Sequence, residues 1–328
     1  MTTFSGGYYF ITHDVVDAEF NIASEQYLLE KGQKVIYVWR NKKAVIVGVG
    51  QNTLSEVDLT YTSDNDIQVV RRITGGGAVY HDLGNICFTV ISDYTQKTDD
   101  VIVFTRPIVE FLKTLGVNAE FSGRNDILVD GRKISGMAQC VKGDKIMHHG
   151  TLLFSTDTSV LEKALIPSPL KLQAKGVKSV RKRVVNLNEY ISNMDSDEFL
   201  GHLRNFLSKD IPTRSFTEEE ISEINKIKKE KFSRYEWNIG KSPKGQFKKS
   251  ARLSFGTMDL CFDIVDGRIR NVELYGDYFL DGDINELTNK LDGVKPVKQD
   301  ILNALSGVDK IIRSSSAKEI TEKLFFGE

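Results

Sequence analysis

Three consecutive glycines, Gly75-Gly76-Gly77, follow the arginine pair Arg71-Arg72 and run straight into an alternating segment, Val79 through Val90. A glycine inside a helix or strand costs roughly 0.5–1 kcal/mol relative to alanine, so three in a row end any regular element here. The stretch reads as a tight, strand-flanked loop whose backbone can approach a ligand closely. Arginine supplies a planar, permanently charged fork suited to phosphate or carboxylate. Beside such charge, the N–H groups of a glycine loop can cradle an anion. A hairpin turn with two solvated arginines is the plainer reading of the same residues.

A second element runs from Gly123-Arg124-Asn125-Asp126-Ile127 through Asp130-Gly131-Arg132-Lys133-Ile134-Ser135-Gly136-Met137-Ala138 to His148-His149-Gly150-Thr151-Leu152-Leu153-Phe154. Asp130-Gly131 between two apolar-rich runs predicts a hairpin. Lys133 then stands at the start of the returning strand, pinned close to the turn. Gly136 and Ala138 are small, so another group can approach that strand. An ordinary exposed lysine is the plain alternative for Lys133.

The pattern Arg-Arg-x-Thr-Gly-Gly-Gly-Ala-Val-x-His-Asp-x-Gly-Asn closely resembles lipoate–protein ligases. Gly-Arg-Asn-Asp-Ile, Gly-Arg-Lys-Ile-Ser-Gly-x-Ala and His-Gly-Thr-Leu-Leu share the resemblance. It extends to Trp39 and Gln51-Asn52 upstream, and to Lys178-Ser179-Val180-Arg181, Asn186-Leu187 and Trp237-Asn238-Ile239-Gly240 downstream. Several ordered motifs over roughly residues 20–240 are far more specific than one glycine loop.

The resemblance implies ATP-dependent activation of lipoate to lipoyl-AMP with release of pyrophosphate, followed by transfer to a lysine of a carrier protein. The expected carriers are lipoyl domains of oxoacid dehydrogenase acyltransferase subunits or the H protein of glycine cleavage, with lipoate or octanoate as the acyl group. Carboxylate and phosphate are both negative, so their meeting needs cations and preorganised donors. Lys133 is the expected catalytic residue, touching carboxylate and α-phosphate. Arg72 and the backbone of Gly76, Gly77, Ala78, Val79 and Tyr80 are expected to hold phosphate and adenylate. Mg²⁺ is expected on the leaving group, with Asp126 as one candidate ligand.

The acyl chain needs an apolar slot, in which each buried methylene contributes about 0.8 kcal/mol. Gly76, Gly136 and Ala138 are expected to make room, and Val79 to line the wall. His81 and His149 are expected near the lipoyl group, with a hydrogen-bonded structural histidine as the alternative for each. His148 reads as solvated, and Trp39 and Trp237 as packing residues. The Lys171–Arg183 basic run resembles a segment that closes near the adenylate, though such a run is also an ordinary solvated loop.

With 328 residues, the chain exceeds the usual single-domain size. The expected division is a catalytic domain over 1–243 and a small C-terminal α/β domain over 250–328, joined by the basic stretch Lys241–Lys249. The 44 basic and 45 acidic residues nearly cancel, which removes any global electrostatic case for nucleic acid or a membrane surface. Apolar runs such as Ala44–Val47 are far too short to span a bilayer. The three cysteines, Cys87, Cys140 and Cys261, are odd in number and widely spaced, which argues against a disulfide framework and makes the cytoplasm the expected location.

The coarse pattern is α+β, with mixed or antiparallel sheets and flanking helices in the large domain. Helices are expected over Asp14–Glu30, 100–114, 158–165, 196–208 and 217–232. Val35–Trp39 and Ala44–Val47 read as paired strands, and 126–130, 133–140 and 150–154 as further strands. Beyond the linker, Ala251–Val265 and Ile269–Leu274 suggest a hairpin, and Asp283–Phe326 two helices.

Familiar devices are missing. Seven residues separate Gly123 from Gly131, which excludes a phosphate loop of the Gly-x4-Gly-Lys type, and Gly48-Val49-Gly50 lacks the third glycine of a dinucleotide fingerprint. An ATP-independent acyl transferase would need an activated thiolate near the lysine. Cys140 lies seven residues beyond Lys133, on the opposite face of a regular strand. Biotin ligation is an analogy of fold only. A nucleic-acid module built on the basic clusters lacks aromatic interleaving.

Overall fold

A computed structural model describes residues 6–95, 101–122, 125–166, 184–240 and 247–326. Gly123, Arg124, the Lys171–Arg183 run and positions 241–246 of the basic stretch lie outside the described residues.

The strands are β1 (Tyr9–Ile11), β2 (Val35–Arg40), β3 (Ala44–Val47), β4 (Gln68–Arg71), β5 (Val79–His81), β6 (Asn85–Asp93), β7 (Ala119–Ser122), β8 (Asp126–Val129), β9 (Arg132–Lys142), β10 (Lys145–Leu153), β11 (Thr213–Arg214), β12 (Phe247–Leu253), β13 (Gly256–Val265) and β14 (Arg268–Gly276). They form an eight-stranded sheet in the order β11-β1-β2-β6-β10-β9-β8-β7 and two three-stranded sheets, β4-β3-β5 and β12-β13-β14. The α+β class holds, with a large mixed sheet and a small C-terminal domain around an antiparallel one.

Period-two alternation divides the large sheet. Ile36, Val38, Ile86, Phe88 and Val90 face the helices Val101–Thr114 and Ser196–Leu207. Val35, Tyr37, Trp39, Cys87 and Ile91 face the helix Ala18–Glu30. Both faces are covered, which is why β2 and β6 read as continuous apolar runs. The β4-β3-β5 sheet shares the second layer: Ala44, Ile46 and Val70 join that core, while Val45, Val47 and Tyr80 turn to a separate cluster.

Several local expectations give way. The first helix starts at Ala18 rather than Asp14, because it is Asp17 whose carboxylate accepts the Phe20 N–H and caps it. Strands β2 and β3 do not pair; β1 and β6 already occupy both edges of β2, and β3 pairs with β4 and β5. The run Val79–Val90 is broken at Asp82, whose carboxylate accepts the Gly84 N–H, so β5 and β6 enter different sheets. Strand β10 begins at Lys145 rather than 150, because its ladder with β6 extends back to Asp93. Phe247–Lys249 belong to β12 rather than to a linker, and Ala251–Val265 spans two strands that meet at Leu253↔Gly256. The two expected C-terminal helices are Ile284–Leu291 and Lys298–Ala304, followed by further helical turns that end in Ile320–Phe326. No helix among the described residues is long and apolar enough to cross a membrane.

Candidate active site

The Asp130-Gly131 turn forms as its sequence demands, with both residues at positive φ (50° and 73°). Beyond it the ladder pairs Ile127 with Ser135 but Leu128 with Lys133, which leaves Ile134 as an extra residue on β9. This bulge inverts the alternation of the strand. Ile134 and Met137 both enter the core beneath the sheet, and Lys133 shares the opposite face with Gly136 and Ala138. A regular strand would have separated the lysine from those two small residues.

Lys133 Nζ donates to Asp126 Oδ1 at 2.6 Å, with both side chains about one-third exposed. Asp126 stands opposite Gly136 in the ladder. A Cβ on Gly136 would lie 2.9 Å from that Nζ, so the space cleared by this glycine holds the lysine tip.

Lys133, Asp126, Gly136 and Ala138 line a cavity of about 290 Å³ together with Arg72, Gly76, Gly77, Ala78, Val79, His81 and His149. That volume is near the lower end for small-molecule sites. Tyr80, expected to contribute its backbone, turns its side chain away from the cavity by alternation along β5, against Val45 and the other cluster. Ile22, Trp39, Ile46 and Cys87 give the cavity an apolar end, so Trp39 is more than packing.

The two arginines are spent differently from expectation. Arg71 is fully buried, and its fork donates to the carbonyls of Gly48, Gln51 and Trp237 and to Thr53 Oγ1. It ties the 48–53 turn to the Trp237-Asn238 segment and does not reach the cavity. Arg72 donates to Thr74 Oγ1 and to the carbonyls of Ile46, Gly75 and Gly77, so it shapes the glycine loop and supplies charge from behind it. Burial lowers each guanidinium to about 10, which leaves both charged at neutral pH. Gly76 has φ +89°, and Gly75 has no room for a Cβ because the Tyr278 carbonyl would lie 2.4 Å away. The Gly77 and Ala78 amides have no backbone acceptor among the described residues.

A polar chain runs along the apolar end. Trp39 Nε1 donates to Thr89 Oγ1, Thr89 donates to the buried Glu25 carboxylate, His149 Nδ1 donates to the same carboxylate, and His149 Nε2 meets Thr74 Oγ1 at 2.7 Å. His149 is therefore hydrogen-bonded and cavity-lining at once. Glu25 was missed, although a carboxylate set between Ile22 and Leu28-Leu29 at helical spacing, on a helix buried nearly all round, is itself a signal. Asn21 donates to Asn41 Oδ1, which makes Asn41 Nδ2 the donor to His81 Nδ1 and places the His81 proton on Nε2. That Nε2 is buried without a partner among the described residues. Burial, Arg72 and His149 push His81 down to about 3, so it lines the cavity as a neutral donor. His148 is not solvated: its side of β10 faces the other core, and its ring stacks on Phe104 at 4.1 Å.

Arg252, Gly256, Asp277 and Phe279 come from the C-terminal domain, which docks through Gly276 N–H to Gly50 O (2.5 Å) and Gly76 N–H to Tyr278 O (3.3 Å). No local motif marks these residues.

The thioester route loses its physical basis, though not for the reason of parity, because the bulge puts Cys140 on the same face as Lys133. Cys140 packs against the core beside the Ala18–Glu30 helix and does not line the cavity. Burial, with Glu25 adding to it, pushes its thiol up to about 12. Cys87 does line the cavity, but burial raises its thiol as well. The described residues contain no group of three or more His, Cys, Asp or Glu able to hold a metal. Mg²⁺ commonly needs only one or two carboxylates plus substrate phosphates, and Asp126 and Asp277 are the cavity's carboxylates.

Among known proteins, the family model described as Lipoyl protein ligase A/B catalytic domain matches residues 17–208, and the one described as Bacterial lipoate protein ligase C-terminus matches residues 242–324. The lipoate-protein ligase LplJ of Bacillus subtilis (strain 168) is 38% identical over 306 residues, covering 90% of this chain and 92% of its own. The crystal structure of P. falciparum LipL1 in complex with lipoate superposes with a TM-score of 0.76 at 26% identity, covering 94% of this chain and 95% of that one. A lipoate-protein ligase A crystallised with ATP superposes with a TM-score of 0.62 at 28% identity, covering 72% and 99%.

Proposed function

This chain belongs to the lipoate–protein ligase family, and on that premise we propose that the cavity around Lys133 is where it activates lipoate with ATP and then passes the lipoyl group to a lysine of an acceptor protein. One observation carries the assignment. The Lys133–Asp126 pair, the Gly76–Val79 backbone and an apolar end at Ile22, Trp39 and Cys87 line one cavity.

In the first step a lipoate carboxylate oxygen bonds to the α-phosphorus and the bond to the β-phosphate bridge breaks, so pyrophosphate leaves. Lys133 sits where an ammonium can bind both reacting oxygens, exchanging Asp126 for substrate. Arg72 holds the loop carbonyls away from the ligand, leaving the Gly77 and Ala78 amides to meet negative charge. Mg²⁺ would ride on the phosphates beside Asp126 and neutralise the leaving group. The acyl chain would lie against Trp39, Ile22 and Val79, with the His81 Nε2–H and His149 at its far end. In the second step the acceptor amine attacks the mixed anhydride, an amide forms and AMP departs.

Residues 1–243 would act as the catalytic unit, and the domain that opens with β12 at Phe247 as its accessory domain. The acceptors would be lipoyl domains of oxoacid dehydrogenase acyltransferase subunits or the H protein of glycine cleavage. Three free cysteines fit a reducing compartment such as the cytoplasm. Lys133→Ala should abolish lipoate-dependent exchange of pyrophosphate into ATP while leaving the thermal transition intact. Wild-type exchange in that variant would overturn the assignment.

A further inference from the structure

We propose that Arg252, on β12 of the C-terminal domain, binds the pyrophosphate half of ATP during lipoate activation; the proposal rests on the ligase reading above. Among the described residues, the cavity wall carries three permanent cations: Arg72, Lys133 and Arg252. ATP brings about four negative charges, and adenylation concentrates charge on the departing pyrophosphate. Arg72 cannot serve it well, because four of its five N–H donors already point at Thr74 Oγ1 and the carbonyls of Ile46, Gly75 and Gly77. Lys133 is held at Asp126 and is needed at the carboxylate and α-phosphate. Among the described residues, that leaves Arg252 as the cation free for the polyphosphate.

Arg252 is unspent in a specific sense. Among the described residues its side chain makes one hydrogen bond, from Nη1 to Thr257 Oγ1 at 3.1 Å. Its ion pair with Asp277 is long, at 3.7 Å, and the same Asp277 oxygen already accepts the Thr257 backbone N–H at 2.5 Å. The fork therefore keeps most of its donors, and its side chain is one-third exposed toward solvent. A guanidinium held by its neighbours but not saturated by them is suited to bidentate phosphate recognition. Its placement is fixed by the β12–β13 pairing, Arg252 opposite Thr257, and by the docking of Tyr278 on Gly76.

The chemistry confines the role to one half-reaction. As the bond from carboxylate oxygen to the α-phosphorus forms, the electron pair of the breaking bridge goes to pyrophosphate, where Arg252 meets it; no proton moves. The second half-reaction forms the amide and releases AMP, with no pyrophosphate present. The full-length Arg252→Gln and Arg252→Lys variants are to be assayed for lipoate-dependent pyrophosphate–ATP exchange. In parallel, they are to be assayed for transfer from chemically prepared lipoyl-AMP to a lipoyl domain that the wild type modifies.

For Arg252→Gln, exchange should fall on the order of 100-fold, with a raised KM for pyrophosphate, an unchanged KM for lipoate and unchanged transfer. Arg252→Lys should recover part of the loss, since it keeps the charge without the fork. Exchange at the wild-type rate in Arg252→Gln would overturn the proposal. So would exchange and transfer falling together, the mark of a purely structural role. Absence of lipoate-dependent exchange in the wild type would instead sink the ligase reading, and this proposal with it.

Discussion

Gly136→Ala separates the stability of this site from its chemistry. The added methyl would lie 2.9 Å from Lys133 Nζ and 3.1 Å from Cε, where ordinary contact begins near 3.4 Å, so the lysine tip must retreat by about half an ångström. What yields is the end of a long side chain about one-third exposed to solvent, not backbone. Folding free energy should therefore change by no more than about 0.5 kcal/mol, as for a surface substitution. The reaction is less forgiving. The Lys133–Asp126 contact at 2.6 Å has no slack; a misplacement of about 1 Å costs on the order of 100-fold in rate, so half that distance costs on the order of 10-fold. That corresponds to roughly 1.4 kcal/mol of barrier. Urea unfolding measures the first quantity, and lipoate-dependent pyrophosphate exchange the second. Two results would refute the reasoning: exchange at the wild-type rate, which would mean the lysine position is immaterial, or a loss of stability as large as the loss of rate.

Two further outcomes follow from buried charge. Arg71→Leu should destabilise the fold by about 3–5 kcal/mol, because it strands the carbonyls of Gly48, Gln51 and Trp237 away from water; denaturant midpoints at wild-type values would show that this clamp is dispensable. His81 is lowered to about 3 in the fold against an ordinary 6.5, so between those values the unfolded chain binds a proton that the native state refuses. Its contribution is complete above about pH 6.5 and is lost as pH falls through that window, at up to roughly 1.4 kcal/mol per unit. His13, lowered to about 4 mainly by burial, adds to the same slope. Carboxylates bear on stability mostly below about pH 4.5, so denaturant melts between pH 6.5 and 5 isolate the histidines. His81→Gln should flatten that slope, and an unchanged slope would exclude His81 as its source.

What could be read in the sequence and what could not divides along the range of the forces involved. The Asp130-Gly131 turn is local chemistry, and with it came the position of Lys133 at the head of β9. The family pattern then named most of the cavity. The outward turn of the Tyr80 side chain was within reach, because strict alternation from Val79 and His81 puts it on the other face. Glu25 was within reach too, as a carboxylate on a helix face otherwise committed to the core. The bulge at Ile134 was not: it arises from pairing with β8, and Gly136, which fits a bulge or a close approach equally well, does not place it. The same holds for Arg71 and Arg72, adjacent and chemically identical, whose different duties depend on which loop carbonyls the tertiary structure brings to each fork. Arg252 and Phe279 are the extreme case, since they join the cavity only because Gly75 leaves space for the Tyr278–Phe279 backbone. Gly75 serves the docking of a second domain, Gly76 a left-handed turn, and only Gly77 lies open to a ligand with nothing within 4 Å of its would-be Cβ. A motif that reads as one device is three, and the physics that separates them belongs to the folded chain.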